Sequence, residues 1–494
     1  MTAADWQPRN ESWLAKQADG LVAVVKADCP TCILIAPVLQ ELHAHGLATV
    51  VTQDDPAFPE SSVDGFAVVL DSDLEISLEL DIDTVPTLLK IEAGAIVDTT
   101  VGWSRDNWQR FTGAANLGVA LPDFRPGCGS LTNDPAFVEQ RAIAERIPLL
   151  RSRALAIGDE EDEMEALFDR GFTDGLPVVP PTPARVARML GGTTRDPQEI
   201  VAIVPPDLVD CTVEKVAVNA VMAGCKPEYL PIVLAAVEAA CTEDFNAHGL
   251  LCTTYFSGPL VIVNGPITRS IGMNSGVNAL GQGNRANASI GRALQLVIRN
   301  VGGGRPGEID RAALGNPGKY TFCFAEREHD SPWEPLHVSR AGMRANQNAV
   351  TLFAAAGVQP IVDQLSREPE SLARSFAAGM RTVGHPKQVF AWDCALVITP
   401  EHARVFHDAG WSKQRLHDEL MALLQIPGAE LVRGANGMAE GLPESFATAT
   451  LPKFRNGGLL IVHAGGEAGM FSALISGWAS GAVGSEIVTQ EVGT

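Results

Sequence analysis

Apolar runs and apolar stripes alternate along this chain in a pattern typical of α/β proteins. Continuous apolar runs at 21–25, 260–263 and 459–462 predict strands that are covered on both faces. Residues with helical spacing predict helices at 33–43, 137–147, 159–169, 184–190, 213–223, 229–240, 290–301, 400–407 and 413–424. Shorter apolar or alternating segments predict further strands at 199–204, 320–326 and 393–398. The pattern therefore predicts a mixed α/β fold.

Two changes in composition divide the chain. The segment 121–130 holds two prolines and two glycines, which is typical of a linker. The segment 171–183 holds four prolines and is predicted to be extended, since proline interrupts helices. We predict a first domain at 1–118, a linker with a helical connection at 119–158, and a larger α/β catalytic region at 159–494, which divides into subdomains at about 159–330 and 331–494.

Charge and cysteine content narrow the class of protein. The formal net charge is −22, from 37 Lys and Arg against 59 Asp and Glu, so no nucleic-acid partner is expected. No apolar stretch reaches the roughly 18 residues of a membrane span, and no signal peptide is recognisable, so we expect a cytoplasmic protein without a membrane partner. Nine cysteines then indicate thiols rather than structural disulfides. No cofactor is predicted, while a metal in the C-terminal region and a homo-oligomer remain open.

A Cys-X-X-Cys pair lies where the first predicted strand meets the first predicted helix. Unpaired amides at a helix N-terminus stabilise a thiolate, which here would be Cys29. Cys32, one turn later, could then resolve a mixed disulfide formed at Cys29. The alternative is half of a zinc site, although the chain has no second Cys-X-X-Cys.

The dithiol and the later motif Val85–Thr87, followed by Gly94 and a Val-Gly-Trp sequence, together resemble the thioredoxin superfamily over about residues 18–115. The resemblance implies that Cys29 is the attacking thiol, Cys32 the resolving thiol and Pro86 a cis-proline that faces them. It also implies an electron donor, such as a thioredoxin reductase or a low-molecular-weight thiol.

Residues around the dithiol depart from thioredoxin itself. Asp28, Pro30 and Thr31 stand where thioredoxin usually has tryptophan, glycine and proline. The redox direction and potential therefore stay open. The large C-terminal region, through its stretch Phe172–Thr182, resembles only bacterial proteins of unknown function that are grouped with thioredoxins, and this resemblance supplies no functional residues.

Polar and glycine-rich loops follow two of the predicted buried strands. Ligands of α/β sheets bind beyond the carboxyl ends of strands, and helix N-termini hold anions. These loops therefore predict a binding site for a small anionic substrate, with the candidates Asn264, Asn274, Asn284, Arg285, Asn287, Ser289, Gly465, Gly466 and Glu467. The alternative interpretation is a capped helix and tight turns packed against their neighbours.

Several other residues have chemistry without a complete motif. Lys319, Glu326 and His463 are candidate acids or bases. Cys128, flanked by glycines in the predicted linker, could swing between two sites or could be an exposed thiol. Cys225 follows a glycine at a turn and precedes a lysine, where a lowered pKa is expected. Cys323 is predicted to be a core thiol, on the strand face opposite Phe322 and Phe324.

Three functions are compatible with these features. The first is a redox enzyme in which the dithiol serves thiol-dependent chemistry on a small anionic substrate held by the C-terminal region. The second is a non-redox lyase or hydrolase of the C-terminal region, with a structural N-terminal domain. The third is a redox-sensing binding protein. Serine-hydrolase, P-loop and zincin signatures do not occur in the sequence.

Overall fold

The computed structural model describes residues 12–60, 66–158, 160–479 and 484–493. The chain divides into two compact units, Met1–Pro148 and Leu149–Thr494, called here the first and second units. Asp159, at the start of a predicted acidic helix, lies outside the described residues, and that helix begins at Glu163. Within the described part of the chain, no helix has both the length and the hydropathy of a membrane span.

The first unit alternates strands and helices, and it contains the strand predicted at 21–25 and the helices predicted at 33–43 and 137–147. Its strands are β1 (Gly20–Val25), β2 (Leu47–Thr52), β3 (Ala67–Leu70), β4 (Thr84–Val85), β5 (Thr87–Glu92), β6 (Ala95–Val101), β7 (Trp103–Ser104), β8 (Phe124–Arg125) and β9 (Cys128–Gly129). Its helices are α1 (Pro30–His43), α2 (Glu75–Glu79), α3 (Arg105–Thr112) and α4 (Pro135–Arg146).

Five of these strands form one sheet in the order β3-β2-β1-β5-β6. The strand β1 is parallel to β2 and antiparallel to β5, and β5 pairs with β6 in an antiparallel hairpin. Burial explains the central place of β1, because five of its six residues are buried. Trp103 and Trp108 pack edge to face beside this sheet, with ring centroids 5.2 Å apart.

The segment predicted to be a linker instead packs on the first unit. The strand β8 pairs with β7, and β9 pairs with β4. Lys26 Nζ donates to the Gly129 carbonyl at 2.9 Å, and Thr31 Oγ1 donates to the Pro126 carbonyl at 2.7 Å. The first unit therefore extends to Pro148 rather than to residue 118, because backbone pairing across the chain leaves no trace in local composition.

The second unit holds the remaining elements. Its helices are α5 (Glu163–Asp169), α6 (Pro183–Leu190), α7 (Val213–Ala223), α8 (Leu230–Ala240), α9 (Ala247–Cys252), α10 (Ile267–Ser270), α11 (Arg285–Asn300), α12 (Leu336–Ala341), α13 (Pro369–Met380), α14 (Pro400–Asp408), α15 (Lys413–Leu423) and α16 (Gly428–Leu431). Its strands are β10 (Ile200–Val204), β11 (Val209–Thr212), β12 (Gly258–Asn264), β13 (Cys323–Ala325), β14 (Ala349–Val362), β15 (Cys394–Ile398), β16 (Gln425–Pro427), β17 (Thr450–Pro452), β18 (Leu459–His463), β19 (Phe471–Gly477) and β20 (Val488–Glu491).

A seven-stranded mixed sheet organises the second unit. Its order is β13-β12-β14-β19-β15-β18, with β20 also paired to β14. The long strand β14 pairs along its length with β12, β19 and β20. Strands from both predicted subdomains therefore share one sheet, and a division near residue 330 would cut between β13 and β14 of that sheet.

The sheet curves so that its two ends meet. Side chains from both ends, including Leu260, Phe324, Val397 and Val462, lie in one buried cluster on its inner face. The Arg327 amide, just beyond β13, donates to the carbonyl of His463 on β18 at 2.7 Å. Cys323 instead belongs to the outer cluster with α7, α8 and α11, which confirms the predicted face assignment of the 320–326 segment.

We expect a methyl group at Gly127 to disturb the pairing of β9 with β4. A Cβ there would lie 2.3 Å from Thr84 Cγ2 and 3.0 Å from the Val85 carbonyl oxygen, whereas a Cβ at Gly129 would meet nothing within 4 Å. Gly127→Ala should therefore lower the free energy of unfolding by about 1–3 kcal/mol. Gly129→Ala is the matched control and should lower it by less than about 0.5 kcal/mol. Equal urea midpoints for the two variants would contradict this packing.

Candidate functional site

The first candidate site is built at the start of α1. Cys29 is the N-cap residue, with an extended backbone, and the Cys32 amide donates to its sulfur at 3.3 Å. Pro30 suits the first helical position because that position needs no N–H donor. Both cysteine side chains are fully buried. The predicted junction of strand, dithiol and helix is therefore present.

The residue pair Val85 and Pro86 lies next to the dithiol. Cys29 Sγ is 3.7 Å from the Val85 carbonyl oxygen. The peptide bond between Val85 and Pro86 is cis, as the resemblance implied. Pro86 separates the short β4 from β5, so the chain passes the sulfur of Cys29 before it enters the sheet.

A third thiol completes this site. Cys128 lies directly opposite Val85 in the ladder of β4 and β9, and its thiol is close enough to the Cys29 sulfur to lower the pKa of Cys29. It is partly exposed, unlike the other two thiols. Of the two interpretations of Cys128, swinging or exposed, the structure supports neither in full, because β-pairing holds the residue against the dithiol. All nine cysteines are free thiols.

The three thiols differ in acidity. Burial raises the pKa of Cys29, but hydrogen bonds from the Cys128 thiol and from the amide and thiol of Cys32 outweigh it, so the net pKa is lowered. Burial raises the pKa of Cys32 far above its usual value. Burial and the hydrogen bond to Cys29 also raise the pKa of Cys128. Cys29 is thus the most acidic thiol of the group.

The second candidate site lies in the second unit, where strand ends meet. Asn264 ends β12, Glu326 follows the parallel neighbour β13, and His463 ends β18. Asn264 Nδ2 donates to Glu326 Oε2 at 2.7 Å, and the Leu336 amide donates to the same oxygen at 2.6 Å. Lys413 Nζ donates to Glu326 Oε1 at 3.3 Å. Three residues selected from separate parts of the sequence therefore belong to one buried polar cluster.

Arg327, which the sequence analysis did not select, connects this cluster to the glycine-rich loop after β18. Its guanidinium donates to the Gly465 carbonyl at 3.1 Å, to Glu467 Oε1 at 2.6 Å and to Asp330 Oδ1 at 2.7 Å. The Gly465 amide donates to the Ser275 carbonyl at 2.9 Å. The predicted anion cradle at Gly465 and Glu467 is thus filled by a side chain of the protein itself.

The ring of His463 is buried without a proper partner. It is 2% exposed, neither ring nitrogen has a hydrogen bond of ordinary geometry, and Asn264 Oδ1 is also unpaired. Trp333 packs edge-on, with ring centroids 6.3 Å apart. Burial lowers the pKa of His463, and the nearby Arg327 backbone and Glu326 carboxylate offset this only in part. A neutral imidazole in this position can accept a proton from a bound molecule.

The other predicted anion-binding residues make hydrogen bonds in the loop that leads into α11 and to the end of α7. Asn284 caps the helix by accepting from the Asn287 amide at 3.0 Å, and Asn287 Nδ2 donates to the Asn274 carbonyl at 2.8 Å. Arg285 Nε donates to the Gly224 carbonyl at 2.9 Å, and Ser289 Oγ donates to the Arg285 carbonyl at 2.7 Å. A Cβ at Gly466 would lie 2.9 Å from Val277 Cγ2. These contacts favour the capped-helix interpretation of the loop.

Two further candidates lie apart from both sites. Burial raises the pKa of Cys225 to about 12, so the expectation of a lowered pKa is wrong there, although Ser289 and Arg285 act in the opposite direction. Lys319 Nζ pairs with Asp310 Oδ1 at 2.7 Å in the wall of a cavity of about 510 Å³. Among the described residues, no group of three or more His, Cys, Asp or Glu side chains is arranged to hold a metal ion.

Comparison with known proteins adds little to this geometry. No family model matches the chain, and no curated protein matches it. Among solved structures, the chain is similar to a hypothetical protein from Sinorhizobium meliloti 1021, with 20% sequence identity and a TM-score of 0.14. That match covers 26% of this chain and 67% of the other. A likeness at this level carries no argument.

We expect His463 to make stability depend on pH. Its pKa is lowered in the folded state, so between that value and about 6.5 the unfolded chain binds a proton that the folded chain does not. Stability should therefore fall as the pH drops below about 6.5, by up to about 1.4 kcal/mol for each unit of pKa difference. His463→Phe should flatten this fall in urea unfolding measured between pH 7 and pH 5.

The matched control is His248→Gln, since His248 is exposed on α9. That variant should keep the full pH dependence. His402 is also buried with a lowered pKa, caused mainly by burial, so some dependence should remain in His463→Phe. Parallel curves for His463→Phe and the unchanged protein would contradict the assignment.

Proposed function

We propose that the first unit carries out thiol–disulfide exchange, with Cys29 as its reactive thiolate. The observation that carries the proposal is the set of hydrogen bonds on the Cys29 sulfur, which overcomes the effect of burial on its pKa. A thiolate is the attacking form of cysteine, and a thiol of low pKa is also a good leaving group. The substrate is a molecule that carries a disulfide or a pair of thiols.

The reaction follows the ordinary course of such exchange. A thiolate of the site attacks a disulfide R–S–S–R′, and R′S⁻ leaves. A second protein thiol, deprotonated as it reacts, attacks the protein sulfur of this mixed disulfide and releases RS⁻. The new protein disulfide returns to two thiols by exchange with an external dithiol or with two equivalents of a low-molecular-weight thiol. The resemblance assigns the second thiol to Cys32.

The fold of the first unit supports this proposal. A parallel unit of β1, α1 and β2 precedes the hairpin of β5 and β6, which is the organisation that a thioredoxin-like domain requires. Asp28, Pro30 and Thr31 leave the redox direction open. A reducing compartment keeps such thiols reduced, so we place the protein in the cytoplasm, with a reductase or a small thiol as its electron donor.

Replacement of Cys29 tests the proposal. Cys29→Ser in the full chain should slow the reduction of glutathione disulfide by dithiothreitol at least about 100-fold, because the hydroxyl cannot replace the thiolate. The amounts of reduced and oxidised glutathione can be followed by chromatography. Cys252→Ser removes an exposed thiol of the second unit and should leave the rate unchanged. A wild-type rate in Cys29→Ser would refute thiol–disulfide exchange at this site.

A second candidate function belongs to the second unit, and the unpaired nitrogens of His463 favour it. We propose that this unit binds a small anionic substrate and that His463 transfers a proton, as in a lyase or hydrolase. A cavity of about 660 Å³ is lined by Trp333, Arg340 and Lys413. Trp333 also contacts the His463 ring, and Lys413 bonds to Glu326, so these residues connect the cavity to the buried cluster.

Ligand-induced stabilisation tests the binding part of this candidate. Succinate, as a dicarboxylate probe, or inorganic phosphate should raise the thermal midpoint of the full chain, since a ligand that binds only the folded state stabilises it. Arg340→Gln should remove this increase, whereas Arg404→Gln, at a different cavity, should not. Equal responses in both variants, or no response to either probe, would contradict anion binding in this cavity.

A further inference from the structure

Access to the three thiols is unequal. Cys29 and Cys32 are both 0% exposed, while Cys128 is partly exposed. In disulfide exchange, the attacking sulfur of the substrate must reach the protein sulfur directly. A fully buried protein sulfur is therefore not accessible to a substrate. Of the three thiols of this site, only Cys128 belongs to a residue that is partly exposed. The assignment of Cys29 as the thiol that meets the substrate therefore conflicts with the geometry.

Several contacts hold the segment that contains Cys128 against β4. Val85 pairs with Cys128 across the ladder of β4 and β9. Two residues after Cys128, the Ser130 amide donates to the Asp83 carbonyl at 2.9 Å. The Ser130 side chain is buried, and Gln53 Nε2 donates to its Oγ at 2.7 Å. At Gly127 the segment approaches β4 so closely that a Cβ would clash. Cys128 is thus held beside Cys29.

We propose that Cys128 is the sulfur at which substrate thiols and disulfides are exchanged, and that Cys29 is its internal disulfide partner. This inference rests on the proposed thiol–disulfide exchange and changes the identity of the reacting pair. Cys32 then acts as a positioning residue, since its amide donates to the Cys29 sulfur at 3.3 Å.

The exchange can be written with its electrons balanced. With the protein in the disulfide form, a substrate thiolate RS⁻ attacks Cys128 Sγ, the Cys29–Cys128 bond breaks, and Cys29 leaves as a thiolate. A second thiol of the same substrate, after loss of its proton, attacks the substrate sulfur of the mixed disulfide and releases Cys128, which takes up that proton. The substrate is oxidised to a disulfide and the protein is reduced by two electrons. A low-molecular-weight disulfide restores the protein disulfide by the same steps in reverse.

Leaving-group chemistry agrees with this order. The sulfur with the lower pKa leaves faster in disulfide exchange. With Cys128 in a disulfide its S–H no longer donates to Cys29, but the amide and thiol of Cys32 and the Thr31 amide still do and lower the pKa of Cys29, while burial raises the pKa of Cys128, so cleavage that expels Cys29 is favoured. Accessibility and leaving-group quality therefore select the same direction of attack, with the covalent intermediate on Cys128.

Glutathione disulfide serves as the probe for this arrangement. In the unsubstituted full chain, treatment should give a peptide cross-link between Cys29 and Cys128, detected by mass spectrometry after non-reducing digestion. Cys32→Ser should form the same cross-link. Cys29→Ser should accumulate a glutathione adduct on Cys128, at least about 10-fold above the unsubstituted protein, because the internal thiol that resolves it is gone.

The conventional arrangement predicts the opposite pattern. It requires a disulfide between Cys29 and Cys32 in the unsubstituted protein and a glutathione adduct on Cys29 in Cys32→Ser, and either result would overturn the inference. An adduct on Cys29 in Cys128→Ser would overturn it as well. Cys252, which is exposed, should carry its adduct equally in every variant and calibrates the reagent. Circular dichroism of each variant checks its folding.

The outcomes also separate this inference from the proposed function. If Cys29→Ser keeps the full rate of glutathione disulfide reduction, thiol–disulfide exchange at this site fails as a whole. If Cys29→Ser and Cys32→Ser both lose that rate while Cys128→Ser keeps it, thiol–disulfide exchange is supported and only the proposed role of Cys128 is refuted. The inference requires loss of the rate, at least about 10-fold, in both Cys29→Ser and Cys128→Ser.

Discussion

The need of buried backbone groups for hydrogen-bond partners shapes both candidate sites. In the first unit, β4 is only two residues long and lies beside Pro86, so its backbone is paired by the segment that contains Cys128. In the second unit, the amide of Arg327 finds the carbonyl of His463 where the curved sheet meets itself. In each case, a backbone contact between distant parts of the chain places side chains that carry chemistry next to each other.

The sequence predicts well what depends on neighbouring residues. The junction of β1 and α1, with Cys29 as its N-cap, follows from a β-branched run and a proline at the first helical position. The fully buried strand β12 follows in the same way from an unbroken apolar run. The strand β14 was missed, although it is the centre of the large sheet, because its second half contains Gly357 and Pro360 and is mostly exposed. Local pattern does not show that such a segment has partners on both sides.

The residues of the candidate sites show the same difference between local pattern and long-range contact. Each of Asn264, Glu326 and His463 lies at or beside the end of a predicted strand. This position along the sequence identifies residues that the fold places in one cluster. Arg327, which joins them to the loop after β18, carries no such signal beyond its place next to Glu326. The loop before α11 has a structural role that its sequence pattern does not reveal. A helix start needs side-chain acceptors for its own amides, and Asn284 accepts from the Asn287 amide while Asn287 Nδ2 donates to the Asn274 carbonyl.

Burial raises the pKa of a thiol, and the hydrogen bonds that the sulfur accepts decide whether the net pKa rises or falls. Cys225 and Cys29 are both buried thiols, but Cys225 has too few compensating contacts and its pKa rises to about 12. Cys29 receives donors from both other thiols of its site and from the first turn of α1, and its pKa falls. One of those donors is Cys128, which reaches the site only through the pairing of β9 with β4. Removing that pairing would take away a donor, so the segment after β8 contributes to the acidity of Cys29.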